Sequence, residues 1–190
     1  MIPVQDVAAV LPTLKQISNS WMKEKNTREK GFSLGYFDEV YLAHFSLAVI
    51  EKDNKIIAFA NVWAGEQKEE LSVDLMRHLP GAPSGVMEYL FIKMMLWGKQ
   101  EGYKWFNLGM SPLSGFQNHP LAPLWNKVGS FIYRHGEDFY NFEGLRAYKD
   151  KFEPVWEPRY IASPAGLQFP LIITNITALI SGGMKGVLMK

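Results

Sequence analysis

Residues 45–63 read FSLAVIEKDNKIIAFANVW, and this stretch decides the fold. Two β-rich runs, 45–51 and 55–63, are split by Asp53-Asn54, residues that tolerate the positive φ of a tight hairpin turn. After the polar loop 65–70, LSVDLMR at 71–77 reads as a third strand. The Gly/Pro loop HLPGAPSG, 78–85, then leads into VMEYLFIKMMLWGKQE, 86–101, a strong helix ended by Gly102. That helix is apolar nearly all round, which predicts a buried central helix. A fourth strand is expected over 104–110. Three meandering strands, a crossover helix and a further strand make a mixed sheet with helices packed on it, the α/β (α+β) class.

Outward from this centre, 8–24 reads as an amphipathic helix, with Val10, Leu14, Ile17 and Trp21 at three- and four-residue steps. The charged run 23–30 reads as a solvated helix end or loop, and 38–44 as a short helix. Helices are expected over 121–134 and 139–152. An edge strand is expected over 155–162, because Pro154 and Pro158 cannot donate to an inner ladder. A last helix over 168–180 has a broad apolar face that either docks on the core, the favoured reading, or lies on a membrane. The expected organisation is an N-terminal helical segment, 1–30, followed by the main domain, 31–190.

Composition narrows the function. The 190 residues carry 20 Lys+Arg, 19 Asp+Glu and no Cys. Disulfides, thiolate metal sites and Cys nucleophiles are excluded. A hydrophobic fraction of 47% and a charged fraction of 21% belong to a globular chain, not a disordered one. A net charge of +1 argues against gripping nucleic acid by bulk charge. The cations are dispersed among acids, however, so a few local phosphate contacts stay open. No secretory signal and no span of about 20 apolar residues is present.

The phosphate-loop, nucleophile-elbow and HExxH motifs are absent, and His44, His78, His119 and His135 lack metal-ligand spacing. Three patches stand out. In Ser72-Val73-Asp74-Leu75-Met76-Arg77 an acid interrupts an apolar strand. Regular alternation puts Asp74 and Arg77 on opposite faces, and they share one only if the strand ends or bulges near Met76. Asp74 reads equally as a solvent-facing residue of an edge strand and as a site residue. In 105–115, WFNLGMSPLSG, a strand runs into a loop where Gly109 permits close backbone approach and Ser111 and Ser114 offer hydroxyls. In 142–160, Lys149 and Arg159 are cations among aromatics, suited to phosphate or carboxylate. Glu143, Arg146 and Asp150 also fall on one helix face, where a surface ion-pair row is the plainer reading. Glu88, one turn into the central helix, is either a second candidate acid or a partner of the helix dipole.

VDLMRH, NLGMSPLSG and FEGLRAYKDKFEPVWEPRY, taken together and in this order, resemble the C-terminal catalytic domain of phosphatidylglycerol lysyltransferases, over about 31–162. The resemblance implies a GNAT-like (acetyltransferase-like) fold and transfer of an aminoacyl group, lysyl in the first instance, from aminoacyl-tRNA to phosphatidylglycerol. It implies Asp74 as general base or as anchor of the α-ammonium, and Arg77, Lys149 and Arg159 on lipid or tRNA phosphate. It further implies Glu143 recognising the amino acid or holding Arg146, Gly109 and Ser111 lining the cleft, and Glu88 among the substrate-binding groups. No cofactor is implied. The HLPGAPSG turn lacks the glycine pattern with which acetyltransferases hold coenzyme A, so acetyl-coenzyme A is not expected. The partners implied are aminoacyl-tRNA, phosphatidylglycerol at the inner face of the cell membrane, and the membrane region of a longer protein. Two other readings compete: an N-acyltransferase acting on a small amine or peptide, and a non-catalytic module binding lipid or tRNA.

Overall fold

The computed structural model describes residues 1–24, 35–112, 114, 142–160, 162, 168, 171–172 and 175–176. The chain divides into two compact units, Met1–Asn107 with Ser163–Lys190, and Leu108–Ala162. The helix expected over 121–134 and the boundary expected at residue 30 lie outside the described residues.

The first unit is built on the expected meander. Strands β1 (Ser46–Lys52), β2 (Lys55–Ala64) and β3 (Glu70–His78) pair antiparallel, and β4 (Trp105–Asn107) joins β3 in parallel, giving the order β1-β2-β3-β4. The hairpin turns on Asp53 and Asn54, both at positive φ (51° and 58°). The fourth strand is shorter than the sequence suggests. It pairs only Glu70–Ser72 with Trp105–Asn107, so past Ser72 it gives β3 no further ladder partner.

Helix α1 (Val7–Glu24) packs on one face of the sheet. Its Val7, Leu11, Leu14 and Ile17, a three-to-four-residue stripe, join Leu42, Leu47, Phe59 and Leu75 in one buried cluster. Burying each such side chain contributes about 1.5–3 kcal/mol before chain entropy is subtracted. The short helix α2 (Glu39–Leu42) lies on the same side, capped by Asp38, whose Oδ1 accepts the Tyr41 N–H at 2.7 Å.

Helix α3 (Val86–Glu101) covers the other face. Small residues make the close approach possible. Ala48, Ala58 and Ala60 are buried, and a Cβ on Gly98 would stand 2.5 Å from the Leu71 side chain. The expectation that α3 is buried all round is corrected: Val86, Leu90, Phe91, Met94 and Gly98 are buried, but Tyr89, Ile92 and Leu96 are about half exposed (50%, 46% and 51%). Apolarity alone cannot distinguish a helix between two layers from one covering a single sheet face.

In the second unit, α4 (Phe142–Asp150) falls inside the expected 139–152 helix. The edge strand expected over 155–162 does not form: residues 154–160 and 162 carry no regular secondary structure. Pro158 removes a backbone donor inside the segment, which weakens any ladder it could join. Of the expected last helix, Gln168, Leu171, Ile172, Asn175 and Ile176 are helical, with Leu171 and Ile176 exposed (61% and 42%) and Ile172 half-buried; Leu167, Leu179 and Ile180 of its apolar face lie outside the described residues. Among the described residues no helix is long and apolar enough to cross a membrane.

Candidate functional site

Asp74 sits at an irregularity in β3. Ala60 pairs with Met76 but Val62 with Val73, so Asp74 and Leu75 together stand opposite Asn61. This is a β-bulge, with one extra residue on β3. The buried Asn61 holds it open: its Oδ1 accepts the N–H of Asp74 at 3.2 Å and that of Leu75 at 2.7 Å. The bulge inverts the alternation that follows. Leu71 faces α3, whereas Leu75 belongs to the α1 cluster, and Arg77 pairs with Phe59 on that same side. Asp74 and Arg77 therefore share a face, the outcome that regular alternation forbids. β3 lies between β2 and β4, but the pairing with β4 ends at Ser72, so Asp74 stands just past it on a stretch of β3 laddered to β2.

Both side chains are engaged there. The Tyr41 hydroxyl donates to Asp74 Oδ2 at 2.8 Å. The Arg77 guanidinium lies over the Trp21 ring, 4.2 Å from its centroid, and donates to the carbonyls of Gly35 and Met76, each at 3.0 Å. Gly35 closes the arrangement at φ +80°, and a Cβ there would stand 3.0 Å from the Asp74 carbonyl oxygen. The turn thus requires glycine twice, for its backbone and for its space. Tyr41 has its pKa pushed up to about 12, by burial first and then by its hydrogen bond to Asp74 and the Asp74 charge.

The second unit gathers another group. Lys149, only 7% exposed, donates from Nζ to the Met110 carbonyl at 2.8 Å. Gly109, at φ +75°, lies so close that a Cβ would be 3.7 Å from that ammonium. Burial pushes Lys149 below the ordinary lysine range. Ser111 is buried, and its carbonyl accepts from Ser114 Oγ at 2.8 Å. Arg146 reaches Ser114 Oγ at 3.4 Å, lies 3.5 Å over the Trp156 ring, and pairs with Asp150 at 3.2 Å. Asp150 also accepts the Trp156 indole N–H at 2.8 Å, which closes a three-membered cluster. The ion-pair reading of Arg146 and Asp150 is thus realised, with an aromatic lid added. The Glu143 side chain lies outside what the structure describes.

Arg159 is exposed and pairs with Glu157 at 3.1 Å. Glu88 is half-buried in the first turn of α3, the helix on the sheet face opposite α1. An apolar cleft of about 300 Å³ lies between β1 and α3, lined by Ala48, Ile50, Leu90, Met94 and Trp97 among others, and contains none of the expected site residues. Sequence reasoning missed Tyr41, Asn61 and Gly35. Asn61 carried a signal, a lone amide inside the apolar run 56–64. Tyr41 carried none.

Comparison with known proteins bears directly on this arrangement. Residues 1–163 match the family described as phosphatidylglycerol lysyltransferase, C-terminal. The match includes α1, upstream of the motifs quoted above. The chain is 40% identical over 179 residues to the phosphatidylglycerol lysyltransferase of Bacillus subtilis strain 168, covering 93% of this chain and 21% of that protein. It is 36% identical over 149 residues to that of Staphylococcus aureus strain MRSA252, covering 78% and 18%. Among crystal structures it resembles the C-terminal domain of a putative lysylphosphatidylglycerol synthetase from Agrobacterium fabrum (TM-score 0.80, 44% identity, 97% of this chain and 55% of that one). It also resembles L-PGS from Bacillus licheniformis (TM-score 0.68, 38% identity, 90% and 51%). The chain spans about a fifth of the length of these sequence relatives and about half of these two structures. The fold is that of the Agrobacterium fabrum C-terminal domain, a mixed four-stranded sheet with helices packed on it. On the match over residues 1–163, the chain belongs to the phosphatidylglycerol lysyltransferase C-terminal family.

Proposed function

We propose that this chain carries the transfer step of a phosphatidylglycerol lysyltransferase: a lysyl group passes from lysyl-tRNA to the glycerol hydroxyl of phosphatidylglycerol. The observation that carries the reading is Asp74 held on a bulge, on the same face as Arg77, in a chain matching that family over residues 1–163. The aminoacyl ester is already activated. The glycerol oxygen attacks its carbonyl carbon, the bond to the ribose oxygen breaks, and the glycerol proton ends on the departing ribose hydroxyl. The protein's part is to orient the two substrates and stabilise the oxyanion formed in between.

Of the two roles open to Asp74, anchor of the α-ammonium fits its surroundings better than general base. A carboxylate that already accepts the Tyr41 hydroxyl has one oxygen engaged and is held in a fixed orientation, which suits an anchor for an ammonium. Arg77, Lys149 and Arg159 bind phosphate of lipid or tRNA, with Lys149 the strongest of them because its charge is little screened by water. By the resemblance of their motifs Gly109, Ser111, Glu143 and Arg146 are proposed as substrate-binding residues, whereas Glu88, on the sheet face opposite Asp74 and Arg77, is not. The ester supplies the activation, so no cofactor takes part. The lipid acceptor and the tRNA donor together place the reaction at the inner face of the cell membrane. The product lipid is less anionic, which lowers the membrane's attraction for cationic antimicrobial peptides.

The test is transfer of radiolabelled lysine from lysyl-tRNA to phosphatidylglycerol vesicles. Asp74→Ala is expected to lower turnover about ten- to a hundredfold, the loss of a charge-assisted contact of roughly 1.5–3 kcal/mol. Wild-type turnover by that variant overturns the assignment. Coenzyme A is expected to leave the Tm unchanged; a rise would favour an N-acyltransferase instead.

A further inference from the structure

Tyr41 is held from every side. Its backbone N–H is fixed on the Asp38 carboxylate at 2.7 Å. Its ring stacks on Tyr36 (centroids 5.9 Å apart, planes at 12°) and meets Phe45 edge-on at 4.8 Å. Phe45 is itself stacked on Trp63 at 5.8 Å with the planes 2° apart. A ring confined in this way can present its hydroxyl in one direction, and that direction is Asp74 Oδ2, 2.8 Å away. Asp74 is equally constrained from behind. Its N–H rests on Asn61 Oδ1, and Gly35 packs against its carbonyl. The backbone of the acid is thus set by the bulge and the orientation of its carboxylate by the phenol.

We propose that Tyr41 is a positioning residue: its hydroxyl fixes the plane of the Asp74 carboxylate so that the second oxygen meets the α-ammonium of the aminoacyl donor. The inference rests on the aminoacyl-transfer reading given above. The phenol is suited to the task. It ionises only near pH 12, so it remains a donor throughout the pH range of the reaction. Phenylalanine at this position would keep every ring contact and lose the hydroxyl with its two hydrogen bonds, the one donated to Asp74 and the one with the Trp63 side chain.

The experiment is a double-mutant cycle in membranes from cells producing the protein, read as kcat/KM for lysyl transfer. Tyr41→Phe is expected to lower kcat/KM about tenfold with an unchanged Tm, the size of one hydrogen bond to a charged group. Asp74→Asn lowers it further, and adding Tyr41→Phe to Asp74→Asn costs nothing more, because the phenol acts through the carboxylate. A second readout does not depend on activity. In protein labelled with ¹³C at the tyrosine Cζ, the Tyr41 signal is expected to titrate at lower pH in Asp74→Asn than in the unsubstituted protein, though burial keeps it above the ordinary tyrosine value. Wild-type kcat/KM in Tyr41→Phe, losses that multiply in full in the double variant, or a Tyr41 titration indifferent to Asp74→Asn would each overturn the proposal. A Tyr41 titration that responds to Asp74→Asn in a wild-type protein that transfers no lysine would retire the transferase reading and leave the Tyr41–Asp74 pair standing.

Discussion

Lys149 shows what burying a single cation does to stability. It is 7% exposed and donates to the Met110 carbonyl. Burying a lysine disfavours its charged form, so the folded protein gives up this proton at lower pH than the unfolded chain does. The sign of the linkage follows. Below the folded-state pKa, folding carries the full cost of burying the ammonium. The cost fades as pH rises from there towards 10.5, the ordinary lysine value, because the unfolded chain then holds more protons than the folded one. Lys149→Met is therefore expected to raise stability at pH 7 by about 1 kcal/mol, an advantage that shrinks as the pH approaches 10.5. The same variant is expected to lose at least about a hundredfold in lysine transfer. Thermal melts at several pH values, run beside the transfer assay, check both. The sequence showed that Lys149 stood among aromatics, but not that it was buried. Burial depends on the Gly109–Met110 segment, almost forty residues away in the chain, lying over it, and a contact of that range leaves no local pattern.

Among the elements, β3 holds the bulge on which the proposed role of Asp74 depends. Asn61 spends one buried side-chain oxygen on two backbone donors, while its Nδ2 finds no partner among the described residues. Asn61→Ala would strand those donors, at about 1–3 kcal/mol for each one left buried. A destabilisation of about 2–4 kcal/mol is expected in urea unfolding, with a loss of lysine transfer as Asp74 is released. A variant that keeps both stability and turnover would mean that the bulge holds without its cap. The elements themselves were largely legible. The hairpin, β3 and the limits of α3 follow from alternation, Asp53-Asn54 and Gly102, because each is specified by neighbours in the chain. The bulge was legible only as a condition attached to Asp74 and Arg77, since strand period alone does not show where an extra residue is inserted. Which face of α3 stays in water, and where β4 stops, are decided by how many layers cover the sheet, and periodicity does not contain that information.

At the scale of the molecule, 20 cations against 19 acids predict a particular salt response. A protein that grips a whole tRNA through six to ten phosphates loses roughly a thousandfold or more in affinity between about 50 and 200 mM salt. Two or three contacts at an acceptor end would lose only about tenfold. The shallower dependence is expected for this chain, measured by filter binding of lysyl-tRNA across that range, and a steep slope would reveal a basic surface that the composition does not suggest. One consequence of the bulge also reaches this scale. Leu71 contributes to the layer under α3 and Leu75 to the layer under α1, so a single strand is keyed into both cores at once. If β3 slid by one residue against β2, Leu75 would leave its cluster and Asp74 and Arg77 would exchange surroundings together. The extra residue thus works as a register lock. It leaves the meander one way to zip, and it makes the length of β3 harder to change than the identity of most of its residues.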